Sequence, residues 1–285
     1  MVRYRLPAGS VPPLTDVIGE LRAVGPTLSV LTKRGDVVNI AAAHVVAIKA
    51  LAAAPVRTGD IRNLEHAAAL AWPGVEHDWL DGWLLRFGFG NTRRANSAVP
   101  LNLSTLSEVN NIVDWYGARG VTPLVSAPDR LLRVPAGVST DAETLVMTGD
   151  VTTRRPSTVT IAAGPDAEWL RLYRRDVPVE VLTAVIDGEV AFATAAGAAV
   201  GRAAVTAGPD GTRWVGLSAV HVVEEHRRRG LASELCSALL SWGADQGATR
   251  AYVQVLADNT AATRLYESMG FTVHHRSRYV DARSL

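Results

Sequence analysis

A turn dense in arginine and closed by glycine carries the most legible chemistry in this 285-residue chain. It reads Arg227-Arg228-Arg229-Gly230-Leu231-Ala232, between an apolar run, Val215 to Val223, and a helical pattern that starts at Leu231. A helix N-terminus leaves about four N–H groups unpaired and carries roughly half a positive charge. Small residues at Gly230 and Ala232 let a ligand come close to those amides. The backbone from Arg229 through Leu231 to Ala232 is therefore a candidate phosphate or pyrophosphate site. The Arg227 and Arg228 side chains can add charge-assisted bonds. Taken alone, the arginines would read as a solvated basic turn; the glycine and the helix behind them favour the anion site.

The elements around the turn must hold it rigidly. Leu231, Leu235, Leu239 and Trp242 recur on one helical face, and Gly247 is a plausible end for that helix. The run Val215 to Val223 reads as a buried strand, and Ala251 to Leu256 as a second. A further helix runs from Asn259 to Gly270, with Ala262, Leu265 and Met269 on its apolar face and Tyr266 at the edge. Asn259 is a good helix cap. Tyr266 reads either as a core aromatic or as a phenol able to donate a proton. The one cysteine, Cys236, lies among apolar residues and reads as an inert core thiol.

The pattern R-x-x-G-x-A after an apolar strand resembles motif A of the GNAT acetyltransferases, which bind acetyl-CoA. The run from Asn259 through Ala262, Leu265 and Tyr266 to Gly270-Phe271 resembles that family's N-x-x-A-x-x-L-Y-x-x-x-G-F signature. The resemblance implies that the strands Val215–Val223 and Ala251–Leu256 splay to admit a pantetheine arm. It also implies that backbone N–H groups at Val220, His221 and Val222 polarise a thioester carbonyl, that Asn259 contacts the cofactor or a water, and that Tyr266 protonates the departing thiolate. Relatives with a side-chain base on the central strand carry it at the positions of Ser218 or Gly216, and neither residue is a base. Strand parity sends His221 to the face opposite Ser218, Val220 and Val222, which reads as structural.

Length suggests about two domains. A net charge of +1 provides no global field for nucleic acid or membrane. No run of about 18 apolar residues is present, and no N-terminal stretch reads as a secretion signal, so a cytoplasmic protein is expected. Residues 1–56 read as short strands, Val2 to Leu6, Gly19 to Val24, Thr27 to Thr32, Asp36 to Ala41 and His44 to Leu51, split by turn residues. They suggest a small β-barrel, resembling the Src-homology-3-type barrel ahead of some actinobacterial acetyltransferases.

Residues 57–155 contain a helix from Ile61 to Trp72, a strand pair Trp79 to Phe89 and Ser97 to Leu103, a helix from Ser107 to Gly120, and strands Val121 to Ser126 and Thr144 to Val151. Asp114-Trp115 precedes Gly120 as Ser241-Trp242 precedes Gly247, an internal echo. The first half lacks the arginine turn and any counterpart of the Asn259–Tyr266 helix. It is expected to be a degenerate GNAT-like half, and residues 156–285 the catalytic domain. The expected fold is therefore α/β: a mixed central sheet flanked by helices, after a GNAT-like half and a small barrel. The expected function is transfer of acetyl from acetyl-CoA to an amine: a protein lysine, a peptide N-terminus or a small amine. The other reading is an acetyl-CoA-binding regulator without turnover.

Overall fold

The computed structural model describes residues 1–32, 34–49, 55–102, 104, 106–151 and 159–285. The chain divides into two compact units, Met1–Pro55 and Val56–Leu285.

In the first unit, alternating apolar and polar residues build β1 (Val2–Arg5), β2 (Leu14–Val17), β3 (Gly19–Ala23), β4 (Thr27–Thr32), β5 (Val37–Ala41) and β6 (Val45–Ile48). They form two three-stranded antiparallel sheets, ordered β2-β1-β6 and β3-β4-β5. Leu28 and Val30 of β4 point inward and join Val2, Val17 and Ile40 in the core. The expected closed barrel is corrected: no ladder joins the two sheets among the described residues. The strand β2 is an addition to the sequence reading. It follows Pro12-Pro13 and carries polar Thr15-Asp16, so it offers no apolar run; Arg3 of β1 holds Asp16 across the ladder through two bonds of 2.8 Å. The last residues of the expected strand His44 to Leu51, Ala50 and Leu51, lie outside the described residues.

The second unit runs α1 (Thr58–Leu70), β7 (Glu76–Leu80), β8 (Trp83–Phe87), β9 (Ser97–Pro100), α2 (Val109–Gly117), β10 (Leu124–Ser126) and β11 (Asp141–Asp150). It continues with β12 (Val159–Ala162), α3 (Ala167–Tyr173), α4 (Val179–Thr183), β13 (Glu189–Ala195), β14 (Ala199–Ala207) and β15 (Arg213–Val222). It ends with α5 (Leu231–Asp245), β16 (Arg250–Leu256), α6 (Thr260–Ser268) and β17 (Thr272–Asp281). The expected strand Trp79 to Phe89 is two strands, because Asp81 and Gly82 adopt positive φ and reverse the chain. The five-residue helix α4 is too short to leave a periodic signal.

These strands form one 11-stranded mixed sheet, ordered β12-β13-β14-β15-β16-β11-β17-β10-β9-β8-β7. The expected boundary near residue 155 lies outside the described residues. Strands from both sides of it interleave: β11 pairs with β16 on one edge and β17 on the other, and β10 pairs with β17. Helix α5 covers one face, packing Leu235 and Leu239 against Val205, Val215, Leu217 and Val253. The other face is covered by α1, whose Leu64, Ala67 and Ala68 meet Val146, Trp214 and Tyr252, and by α3 through Trp169. No helix among the described residues is long and apolar enough to cross a membrane.

Candidate functional site

The site begins where β15 and β16 part. The two strands run parallel and pair from Trp214 with Arg250 to Leu217 with Val253, and no pairing between them continues beyond. The cause is partly local to β15. Ala219 adopts φ 53°, and the register against β14 shifts between Val200 and Arg202. Two residues of β15 there oppose one of β14, which is a β-bulge.

The bulge changes which residues share a face. Val220 and Val222 turn towards the α5 core, while Ala219 packs with the cluster on the opposite face. His221 pairs with Val200 and Ser218 with Arg202, two residues apart on β14, so His221 and Ser218 share a face, and both line the cavity that opens between the strands. The parity reading of His221 is therefore corrected: it is opposite Val220 and Val222, as expected, but not opposite Ser218. Burial, then Arg227, Arg174 and Arg175, hold its imidazole below the ordinary value of 6.5.

The cavity has a volume of about 300 Å³. One wall is β15 from Leu217 to His221 and β16 from Gln254 to Leu256. Asn259, Ala262 and Tyr266 of the α6 region close one end, and Trp72, Thr92 to Arg94, Tyr173, Arg175 and Tyr279 supply the rest with Ala142 and Thr144.

Asn259 caps α6, its side chain accepting from the Ala262 N–H at 3.1 Å. Tyr266 is 6% exposed and packs at a tilt against Phe271. Burial, then the neighbouring Cys236 thiol, raise its phenol well above the ordinary value, so the hydroxyl keeps its proton. Cys236 is fully buried and its thiol is pushed up to about 12, which fits an inert core residue.

The arginine turn adjoins this fork. A 3-10 turn, Glu224–His226, carries the chain from β15 to Arg227, whose Nε donates to the Val222 carbonyl at 3.3 Å. Arg227, Arg228 and Arg229 are exposed. Gly230 is the N-cap of α5 with φ 83°, and no side chain caps the helix. A Cβ at Gly230 would meet nothing within 4 Å, so glycine is required by the backbone and not by crowding. Leu231 and Ala232 begin the helix, whose first amides have no side-chain cap, and Glu234 lies in its first turn. Open helix amides and exposed guanidiniums fit a phosphorylated cofactor.

Neither sequence position for a base holds one, for reasons visible in the packing. A Cβ at Gly216 would lie 2.2 Å from the Tyr252 ring. The Ser218 hydroxyl accepts from Arg202 at 3.4 Å. Arg202 is 1% exposed, lies over the Trp72 ring at 4.3 Å, and donates to the carbonyls of Leu182, Ala71 and Ala184. Burial brings its guanidinium down to about 9. Sequence reading missed Trp72, Arg94, Tyr173, Arg175, Arg202 and Tyr279 as site residues, because they come from elements that read as packing. The adjacent Arg93-Arg94 after the Gly88-Phe89-Gly90-Asn91 stretch was the one available signal.

Similarity to known proteins agrees with this geometry. Residues 58–280 match the profile of a family described as the C-terminal region of the probable histone acetyltransferase Rv0428c, and residues 1–49 match its N-terminal Sm-like domain. The Mycobacterium tuberculosis protein of that name is 52% identical over all of this chain and 94% of its own length. The N-acetyltransferase YobR of Bacillus subtilis is 25% identical over 75% of this chain and 95% of its own. A GCN5-related N-acetyltransferase from Kribbella flavida superposes with a TM-score of 0.57 at 16% identity, covering 79% of this chain and 96% of that one. A GNAT-family structure from Novosphingobium aromaticivorans superposes with a TM-score of 0.52 at 18% identity, covering 76% and 96%. The N-terminal sheets match an Sm-like domain, the small β-rich domain that the strand pattern leads one to expect there. By these matches the chain belongs to the Rv0428c family of acetyltransferases, a GNAT fold carrying an Sm-like domain at its N-terminus.

Proposed function

We propose that this chain transfers the acetyl group of acetyl-CoA to a primary amine. The supporting observation is the fork between β15 and β16, with an open helix N-terminus at Gly230 beside it and the Tyr266 phenol at its end. The CoA phosphates would be held by the amides of Arg229 to Ala232 and by Arg227 and Arg228. The pantetheine arm would lie along the edge of β15 that has no partner beyond Leu217, with backbone groups at Val220, His221 and Val222 facing the thioester.

In the reaction the amine nitrogen attacks the acetyl carbonyl, a C–N bond forms and the C–S bond breaks. Tyr266 gives its proton to the departing thiolate. His221, an imidazole lining the same cavity and held neutral at pH 7, receives the proton the amine loses.

Residues 57–155 fit a second GNAT-like unit without a phosphate turn, so one acetyl-CoA binds per chain. The Mycobacterium tuberculosis relative is named for histone acetylation. A protein lysine, a peptide N-terminus and a small amine are the acceptor classes open to this chain.

Tyr266→Phe tests the reading. The ring keeps its packing, so the variant should fold, hold acetyl-CoA with little change, and lose about 10²–10⁴ in kcat. Wild-type kcat in the folded variant removes the proposed acid. His221→Gln should lower kcat/KM by about tenfold or more and abolish the acid limb of the pH profile, which lies below pH 6.5 because the imidazole is depressed. An unchanged profile removes His221 from the proton path.

A further inference from the structure

Resting on the acetyl-transfer reading above, we propose that the acceptor is a small amine bearing an anionic group, a carboxylate or phosphate ester, and that Arg94 and Arg175 seat that group. The observation is the sign of the charge on the cavity wall. Arg93, Arg94 and Arg175 line the cavity, and no Asp or Glu among the described residues does. Arg93 is paired with Asp141 at 2.5 Å. Arg94 and Arg175 have no ion-pair partner among the described residues.

Both unpaired guanidiniums are braced by aromatic rings rather than by carboxylates. Arg94 lies 5.6 Å from the centre of the Trp72 ring, and Arg175 lies 6.0 Å from that of Tyr173. Stacking on a ring face fixes a guanidinium while leaving its N–H edge free to bond. Arg94 Nε is buried and has no hydrogen-bond partner. A buried donor left unsatisfied is costly, and a ligand oxygen would relieve that cost. Behind them, the buried Arg202 bonds only to carbonyls and the Ser218 hydroxyl, so it adds positive charge with no compensating acid. The phosphate turn, Arg227 to Gly230, is not part of this wall, so the cofactor's phosphates do not account for it.

A lysine-rich tail would bring more cations towards this wall, where like charges select against it. A carboxylate or phosphate matches the planar fork of arginine and can be held by two parallel bonds. Nearby guanidiniums also favour the neutral form of the acceptor's amine, which is the form that attacks.

The test uses the full chain with acetyl-CoA and matched amines: β-alanine against β-alaninamide, O-phosphoethanolamine against ethanolamine, and a lysine-rich peptide. The anionic member of at least one pair should exceed its uncharged partner in kcat/KM by about 10- to 100-fold, the range for bonds to a charged group. Which pair responds distinguishes carboxylate from phosphate. Arg94→Gln and Arg175→Gln, made separately, should each bring that ratio to within about threefold of one, while calorimetry shows acetyl-CoA still bound. Because Arg175 is exposed, its variant remains informative if Arg94→Gln folds poorly. The inference is overturned by equal use of both members of each pair, by preference for the lysine-rich peptide, or by a ratio unchanged in either folded variant. Turnover of no amine in the panel, with acetyl-CoA bound, also overturns it. Failure of the folded wild-type chain to bind acetyl-CoA would instead defeat the acetyl-transfer reading, and this inference with it.

Discussion

The second unit contains two strand–helix–strand crossovers of the same kind that differ at one point. In each, a strand leads through a helix to a parallel neighbour: β9, α2 and β10 in the first, β15, α5 and β16 in the second. Each helix has a tryptophan near its end, Trp115 or Trp242, followed by a glycine at positive φ, Gly120 or Gly247. The difference lies at the helix N-terminus. Helix α5 starts at an uncapped Gly230 after three exposed arginines. Helix α2 starts at Glu108 after a 3-10 turn, and Asn111 bonds that carboxylate at 2.8 Å. An acidic group in that position complements the helix dipole from within the chain and repels a phosphate. Neither helix start is capped by a side chain, and α5 has Glu234 in its first turn, so the two differ in the charge just ahead of the helix: three exposed arginines before α5 and a carboxylate at the start of α2.

The largest expected effect comes from separating the two crossovers. A fragment of residues 156–285 lacks β11, which lies between β16 and β17 and contributes Leu145 and Met147 to the α5 core. That fragment should fail to fold, whereas residues 56–285 of the intact chain should unfold as one cooperative unit. Circular dichroism and thermal melts would show this, and a fragment with a sharp melt would make the crossovers independent.

Next in size is the phosphate turn itself. Gly230→Asp should weaken acetyl-CoA by about 100-fold or more, combining backbone strain at positive φ with a carboxylate at the anion site. Gly230→Asn tolerates the same backbone without the charge and should lose less than Gly230→Asp. Equal losses would make the effect purely conformational. Titration of the wild-type chain should give one site, and two equivalent sites would erase the distinction between the helices.

The smallest effect concerns β17, which together with β11 lies between the two crossovers in the sheet. His274 Nδ1 lies 2.8 Å from His275 Nδ1, and His275 Nε2 lies 2.8 Å from Glu65 Oε1 of α1. Burial and His275 bring His274 down to about 4, with Arg250 lowering and Asp60 and Glu65 opposing. The unfolded chain then binds more protons than the native one between pH 6.5 and 4, so this contribution is present above pH 6.5 and lost as pH falls to 4. With the ring only partly buried, roughly 1–2 kcal/mol should be at stake. His274→Gln should flatten the dependence of the urea midpoint on pH in that window. An equally steep curve in the variant would assign it to other groups.

Much of the region around the β15–β16 fork was legible because its signals are local. The capping by Asn259, the face of Leu231, Leu235 and Leu239, and the inert Cys236 each depend on residues within a few turns of one another. His221 was misplaced because a bulge at Ala219 inserts a residue and shifts the alternation that parity relies on. The N-terminal barrel was overread because strand pattern reports alternation and not which edges meet.

The sequence by itself determined the arginine-rich strand–turn–helix with its glycine at the helix start, the helix bearing Tyr266, and the resemblance to the family. Tertiary structure alone decided the interleaving of β11 with β16 and β17 and the wall formed by Trp72, Arg94, Tyr173 and Arg175, with Arg202 behind it. The physical reason is range. Caps, helix dipoles and amphipathic faces act between neighbours along the chain, whereas the sign of charge in a cavity is the sum of side chains brought together by long-range strand pairing.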